Sequence, residues 1–212
     1  TASLKPMPEE IGRCRVFPSG WLENESVWLH MEYKYLLELL KQGLYEEFYQ
    51  DFKKALIPFQ DPKRYGRSIL ENSSFLVSSA FPDKTLHGNG FVARLSGSTA
   101  EFLDIWLKIN LGIKPFFITG NNTLNLCFKP ILNAWLFDKN GNYSFNFLSK
   151  IKVAYHNPAK KNTYGKNSAK VQYITFKDNN GLLIKINSDT IKSPYAEQIR
   201  LGKINQIDIH LK

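Results

Sequence analysis

Three stretches of the chain bring together side chains that could do chemistry. The first runs Gly20-Trp21-Leu22-Glu23-Asn24-Glu25-Ser26-Val27-Trp28-Leu29-His30. Indole faces stack on sugar rings, and carboxylates and amides bond to hydroxyls, so Trp21, Glu23 and Asn24 suit a carbohydrate. His30 lies just beyond them, one turn into an expected helix. The same residues also read as a helix cap, two core tryptophans and a core histidine. The second stretch, Tyr65 to Phe75, holds Arg67 and Glu71. These are four apart, the spacing of a surface ion pair if the segment is helical. The third is Gly90 to Glu101. A Ser96-Gly97-Ser98 turn just ahead of a helix would present free backbone N–H groups at the positive end of the helix dipole, a setting that accepts phosphate or sulfate. Glu101 weakens that site electrostatically if it faces inward.

The elements that must carry these residues fall into two rhythms. From Ser26 to Lys41 apolar residues recur at Leu29, Leu36 and Leu40 and at Met31, Tyr35 and Leu39, which predicts a helix with a wide apolar face, ended by Gly43. Leu44–Leu56 repeats the pattern and Pro58 stops it. After an irregular stretch, the short apolar run Ser74–Ala80 reads as helix. Ser98-Thr99-Ala100-Glu101 reads as a capping box that opens a helix to Gly112. Beyond Gly112 the period becomes two. Strands are expected around Leu124–Lys129, Tyr143–Phe147, Ile151–Tyr155, Lys170–Phe176, Leu182–Ile186 and Gln206–Leu211. Asp138-Lys-Asn-Gly and Asp178-Asn-Asn-Gly supply turn chemistry between them. The expected fold class is α+β, with a helical part over 1–112 and an antiparallel β-sandwich or jelly roll over 113–212.

Charge and cysteine usage narrow the function classes. The net charge of +9 resides in the second half, where residues 113–212 carry 15 Lys+Arg against 5 Asp+Glu. Those cations are single, scattered lysines with one arginine, Arg200. That pattern fits a solvated face better than a base-reading surface, and no nucleic-acid partner is expected. Cys14 and Cys127 stand far apart, and the four histidines lack paired ligand spacing, so no metal is expected. No run of 18 apolar residues occurs, and Glu9, Glu10, Arg13 and Arg15 interrupt the first 20 positions. The expectation is a cytoplasmic protein with neither membrane span nor leader. Wide apolar helix faces need more partners than 112 residues supply, and the chain begins Thr-Ala-Ser rather than with Met. A preceding N-terminal portion is therefore expected.

The ordered set Glu23, Asn24, His30, then Lys53-Lys54-Ala55-Leu56-Ile57-Pro58, then Glu71, then Leu95-Ser96-Gly97-Ser98-Thr99-Ala100 resembles the C-terminal part of the cellobiose phosphorylase family, inverting glycoside phosphorylases of bacterial carbohydrate metabolism. The longer Leu-Glu-Asn-Ser-Ser-Phe and His-Gly-Asn-Gly-Phe segments resemble its larger oligoglucan-type members. The resemblance implies that 1–112 supplies the last helices of an (α/α)6 catalytic barrel and 113–212 a C-terminal jelly roll. It implies phosphate binding at His30, Ser96, Gly97 and Ser98, and sugar binding at Trp21, Glu23, Asn24, Arg67 and Glu71. It further implies no cofactor beyond inorganic phosphate as co-substrate, a general acid lying upstream of this segment, and assembly with the missing portion or as a homodimer. Two motifs depart from the family. Glu-Asn-Gly-Gly reads Glu23-Asn24-Glu25-Ser26, and Thr-Gly-Thr-Ala is one residue longer, as Ser96-Gly97-Ser98-Thr99-Ala100. A different class stays open beside this one: a non-catalytic carbohydrate-binding sandwich using Trp135, Tyr143 and Tyr155.

Overall fold

The computed structural model describes residues 4–92, 96–120 and 122–212. The chain forms mixed helix and sheet in two compact units, Thr1–Trp106 and Leu107–Lys212. The division falls inside one helix, a few residues before Gly112.

In the first unit the strand β1 (Val27–Trp28) leads directly into α1 (Leu29–Lys41), followed by α2 (Tyr45–Ala55) and the short α3 (Pro62–Tyr65). Then come β2 (Phe75–Leu76), β3 (Gly90–Phe91) and α4 (Ser96–Leu111). Helices α1 and α2 bury Leu29, Tyr33, Leu36 and Leu40 with Phe48, Phe52 and Ala55, at the three- and four-residue spacing of one helical stripe. The wide face expected of α1 is divided, because Met31 and Tyr35 remain about half exposed.

Three expectations need correction here. Helix α1 starts at Leu29 rather than Ser26, because Val27 and Trp28 pair with Leu76 and Phe75. Ser26 turns its hydroxyl back to the Leu22 carbonyl instead of capping the helix. The Ser74–Ala80 run is not a helix: it contains β2, the central strand of a β1-β2-β3 sheet, followed by irregular backbone. Phe75, Leu76 and Val77 are all buried in succession, a pattern that short buried strands and helices share and that periodicity alone cannot sort. Helix α4 begins at Ser96, ahead of the Ser98 start that the capping pattern predicts, so Ser98 lies within the first turn and is fully buried.

The second unit is built from two sheets. One has the order β10-β5-β4, from β4 (Phe116–Thr119), β5 (Thr123–Cys127) and β10 (Thr190–Lys192). The other has the order β6-β7-β11-β8-β9, from β6 (Asn142–Phe147), β7 (Ile151–His156), β8 (Val171–Lys177), β9 (Leu183–Ile186) and β11 (Gln206–Leu211). Helix α5 (Tyr195–Arg200) precedes β11. Every expected strand is present within a residue or two, while β4, β10 and α5 were not anticipated. Among the described residues the pairings are antiparallel except β7 with β11, which run parallel. Both Asp-x-Asn-Gly turns close in the same way. Asp138 Oδ1 accepts the amides of Asn140 and Asn142, and Asp178 Oδ1 those of Asn180 and Leu182. Gly141 and Gly181 take the left-handed backbone each turn needs. Phe145, Phe147, Val153, Tyr155, Ile174, Phe176, Ile207 and Ile209 form the core, alternating along their strands with more exposed residues.

Candidate functional site

His30 is the second residue of α1, and the imidazole reaches the first turns of α4. Its Nε2 lies 3.5 Å from Glu101 Oε1. On the other side Gly97 is pressed against the ring. A methyl group built at Gly97 would sit 2.8 Å from both Nδ1 and Cε1 of His30. That contact is closer than side-chain carbons tolerate, so any larger residue would displace the ring, and glycine is favoured here by close approach and not by its backbone angle. The arrangement thus puts an imidazole beside the N-terminus of a 16-residue helix, where main-chain amides and the helix dipole favour an anion. If Nε2 carries its hydrogen toward Glu101, Nδ1 is an acceptor in the neutral ring and a donor in the cation. Either form can meet a phosphate oxygen, protonated or bare. Glu101 also brings a negative charge to this neighbourhood, as the sequence warned.

A hydrogen-bonded chain anchors the surroundings. Asn72 Nδ2 donates to Thr99 Oγ1 (3.5 Å) on α4, and Tyr33 Oη on α1 donates to Asn72 Oδ1 (3.1 Å). The Ile57 amide donates to Tyr33 Oη (3.3 Å). Burial holds the Tyr33 phenol well above its usual range, so it remains a neutral donor at any physiological pH. Tyr65 Oη donates to the Glu71 carbonyl (2.6 Å) and shares a short hydrogen bond with Ser73. Tyr33 and Asn72 were not singled out from sequence. An asparagine flanked by Glu71 and two serines was the available signal.

The sugar-binding candidates occupy three different settings. Trp21 is packed by Phe75, Phe81 and Phe91, with ring centroids 4.6–5.3 Å away. Asn24 is buried and donates through Nδ2 to the Phe17 carbonyl (2.7 Å), while its Oδ1 is enclosed without a donor among the described residues. Glu23 accepts from Arg13 through Oε1 (2.7 Å), and its Oε2 is likewise enclosed without a donor. Arg67 and Glu71 lie beyond the end of α3 in non-helical backbone, and no salt bridge joins them among the described residues. Arg67 Nη1 is enclosed and meets no acceptor there either. Of the phosphate candidates, Ser98 is buried in α4, Gly97 adjoins His30, and the Ser96 side chain and Leu95 lie outside the described residues. Glu23 also lines a hollow of about 680 Å³ together with Glu25, Ser26, Trp28 and Glu32.

In the second unit Tyr155 is fully buried and donates to the Asn110 carbonyl (2.5 Å), Tyr143 packs near Phe137 and Phe145, and Trp135 is partly exposed. Among the described residues no three of His, Cys, Asp and Glu gather as a metal-binding group, and no helix is long and apolar enough to cross a membrane. The sequence matches no protein-family model and no curated protein.

Proposed function

We propose that this chain is the C-terminal part of an inverting glycoside phosphorylase, a cytoplasmic enzyme that cleaves a β-linked glucoside or oligoglucan with inorganic phosphate to give a sugar α-1-phosphate. In this reading the first unit contributes the last helices of an (α/α)6 barrel and the second unit is its terminal jelly roll. The chain assembles with the portion that carries the general acid, as a single polypeptide or within a homodimer. The observation that carries the reading is the contact of His30 with Gly97 at the start of α4. Two residues the motifs single out, 67 positions apart, meet where an oxyanion is best held.

Inverting hydrolysis needs an acid for the leaving oxygen and a base for water. Phosphate is already a nucleophile, so phosphorolysis needs only the acid, plus donors that hold a dianion on the opposite face of the sugar. One phosphate oxygen attacks the anomeric carbon as the glycosidic C–O bond breaks, and the departing oxygen takes the acid's proton. His30 and the first amides of α4 orient the attacking phosphate, while Arg67, with an enclosed nitrogen that meets no acceptor among the described residues, is available to an anion or hydroxyl. The Glu-Asn-Gly-Gly departure also has a physical side. Glu25, standing where the family has glycine, holds φ at 61°, the left-handed backbone that glycine adopts freely. In the full-length enzyme, His30→Asn should raise the KM for phosphate about tenfold, the loss of roughly one charge-assisted hydrogen bond. Unchanged phosphate dependence would remove His30 from the site.

A further inference from the structure

Strand β9 is an open border of the larger sheet. Among the described residues it pairs with β8 alone, from Lys177 opposite Leu183 to Ile174 opposite Ile186. The Asp178 amide donates to the Leu182 carbonyl (2.9 Å), and this sets the alternation of the ladder, in which positions 182, 184 and 186 bond inward. Leu183 and Lys185 therefore turn their N–H and C=O groups outward, where no strand among the described residues receives them. Leu182 and Leu183 stand 62% and 65% exposed.

The two faces along this border differ in chemistry. Lys185 stands over the Tyr173 ring, with Nζ 4.1 Å from its centroid, so Lys185 and Leu183 share the outer face of the sheet. That face holds a hollow of about 550 Å³ whose lining includes Leu183, Lys177, Lys203, Asp178 and Asp208. Its charges do not neutralise one another. Asp178 is engaged by the turn amides, and Asp208 accepts from Gln206 (2.8 Å) and pairs with His156 (2.8 Å). Lys177, Lys185 and Lys203 have no carboxylate within salt-bridge distance among the described residues. On the inner face Ile184 and Ile186 lie opposite the buried Phe176 and Ile174, yet are themselves only partly buried.

A strand laid along β9 would put alternate side chains beside the lysines and the others beside the two isoleucines. We infer that β9 receives an extended segment of another polypeptide, with acidic residues at every second position and β-branched apolar residues between them. Main-chain bonds to Leu183 and Lys185 hold the segment, and the lysines select its charge. A second copy of this chain is the wrong occupant. Antiparallel pairing of β9 with β9 would set the lysines of both copies on one face, where like charges repel. The inference rests on the second unit alone and is independent of the phosphorylase reading.

Titration of the 212-residue chain with a hexapeptide alternating glutamate and valine tests this, with affinity read by calorimetry and amide hydrogen exchange by NMR. The peptide should bind one to one and slow exchange at the Leu183 and Lys185 amides. The same peptide methylated on its backbone nitrogens should lose binding, because charge alone does not hold it. Lys177→Glu and Lys185→Glu should each weaken the unmethylated peptide about fivefold or more at low ionic strength. Both lysines are exposed, and the wild-type exchange pattern stays readable should either variant fold poorly. Absence of binding, equal binding of the methylated peptide, protection confined to other amides, or wild-type affinity in both variants would each overturn the inference. So would β9 protection that grows with protein concentration in the absence of peptide, the mark of a second copy. Tighter binding of a single-stranded oligonucleotide on the same lysines would overturn it too.

Discussion

Replacing Gly97 by alanine tests the central contact of the site on stability alone, with no substrate needed. Two opposing effects are involved. Alanine is favoured over glycine by up to about 1 kcal/mol in a helix interior, because glycine has more backbone freedom to lose, and by less in the first turn, where Gly97 stands. Against that, the new methyl would lie 2.8 Å from the His30 ring. The imidazole is partly exposed and can turn away, at an off-rotamer cost of about 0.5–1.5 kcal/mol plus the packing it leaves behind. The wild-type background should therefore lose about 1 kcal/mol. In a His30→Ala background the obstacle is gone, and the same substitution should be neutral or stabilise by up to about 0.5 kcal/mol. The resulting coupling, about 1–1.5 kcal/mol, stands clear of the scatter of roughly 0.3–0.5 kcal/mol seen for independent sites. Urea denaturation followed by tryptophan fluorescence reads it selectively, because Trp21, Trp28 and Trp106 lie in the first unit and only Trp135 in the second. Equal effects of Gly97→Ala in the two backgrounds would refute the contact, and with it the imidazole's place beside the helix start.

Two further outcomes can be checked on the same chain. Glu25→Gly should stabilise by up to about 1 kcal/mol, since a side chain at φ 61° carries a steric penalty that glycine lacks; a lower denaturation midpoint would contradict that backbone assignment. His210 packs between His156 and Tyr173, with ring centroids 4.7 and 4.2 Å away, and burial followed by the charge of His156 lowers its pKa. Below about pH 6.5 the unfolded chain takes up a proton there more readily than the folded one, so stability should fall with pH until the folded imidazole also titrates and then level off. His210→Gln should flatten that slope, and an identical slope in wild type and variant would sink the assignment.

Much of the second unit is legible in sequence because one rule governs it. Strands with one buried face alternate, and Asp-x-Asn-Gly has few backbone solutions, so Tyr143–Phe147 and its two turns announce themselves. The parallel pairing of β7 with β11 leaves no such mark, since register between distant strands is decided by tertiary packing. In the first unit Leu29–Lys41 is readable by its period, but Ser74–Ala80 is not. Its first four residues, Ser74–Val77, are all buried and so show no polar phase, and the pairing partners Val27 and Phe91 lie far off in the chain. At the site, His30, Gly97 and Glu101 could each be named from residue type, whereas their meeting depends on how α1 and α4 pack.

Strand β11 lies between β7 and β8, joining one hairpin made of β6 and β7 to another made of β8 and β9. Each hairpin is complete long before Gln206 is translated. Until Gln206–Leu211 emerges from the ribosome, both present raw, hydrogen-bond-hungry borders to whatever is nearby. A polypeptide cut short of Gln206 would thus be a sticky species and not simply a smaller one, and expression trials that trim this unit from its C-terminal side should yield insoluble material as soon as that strand is lost.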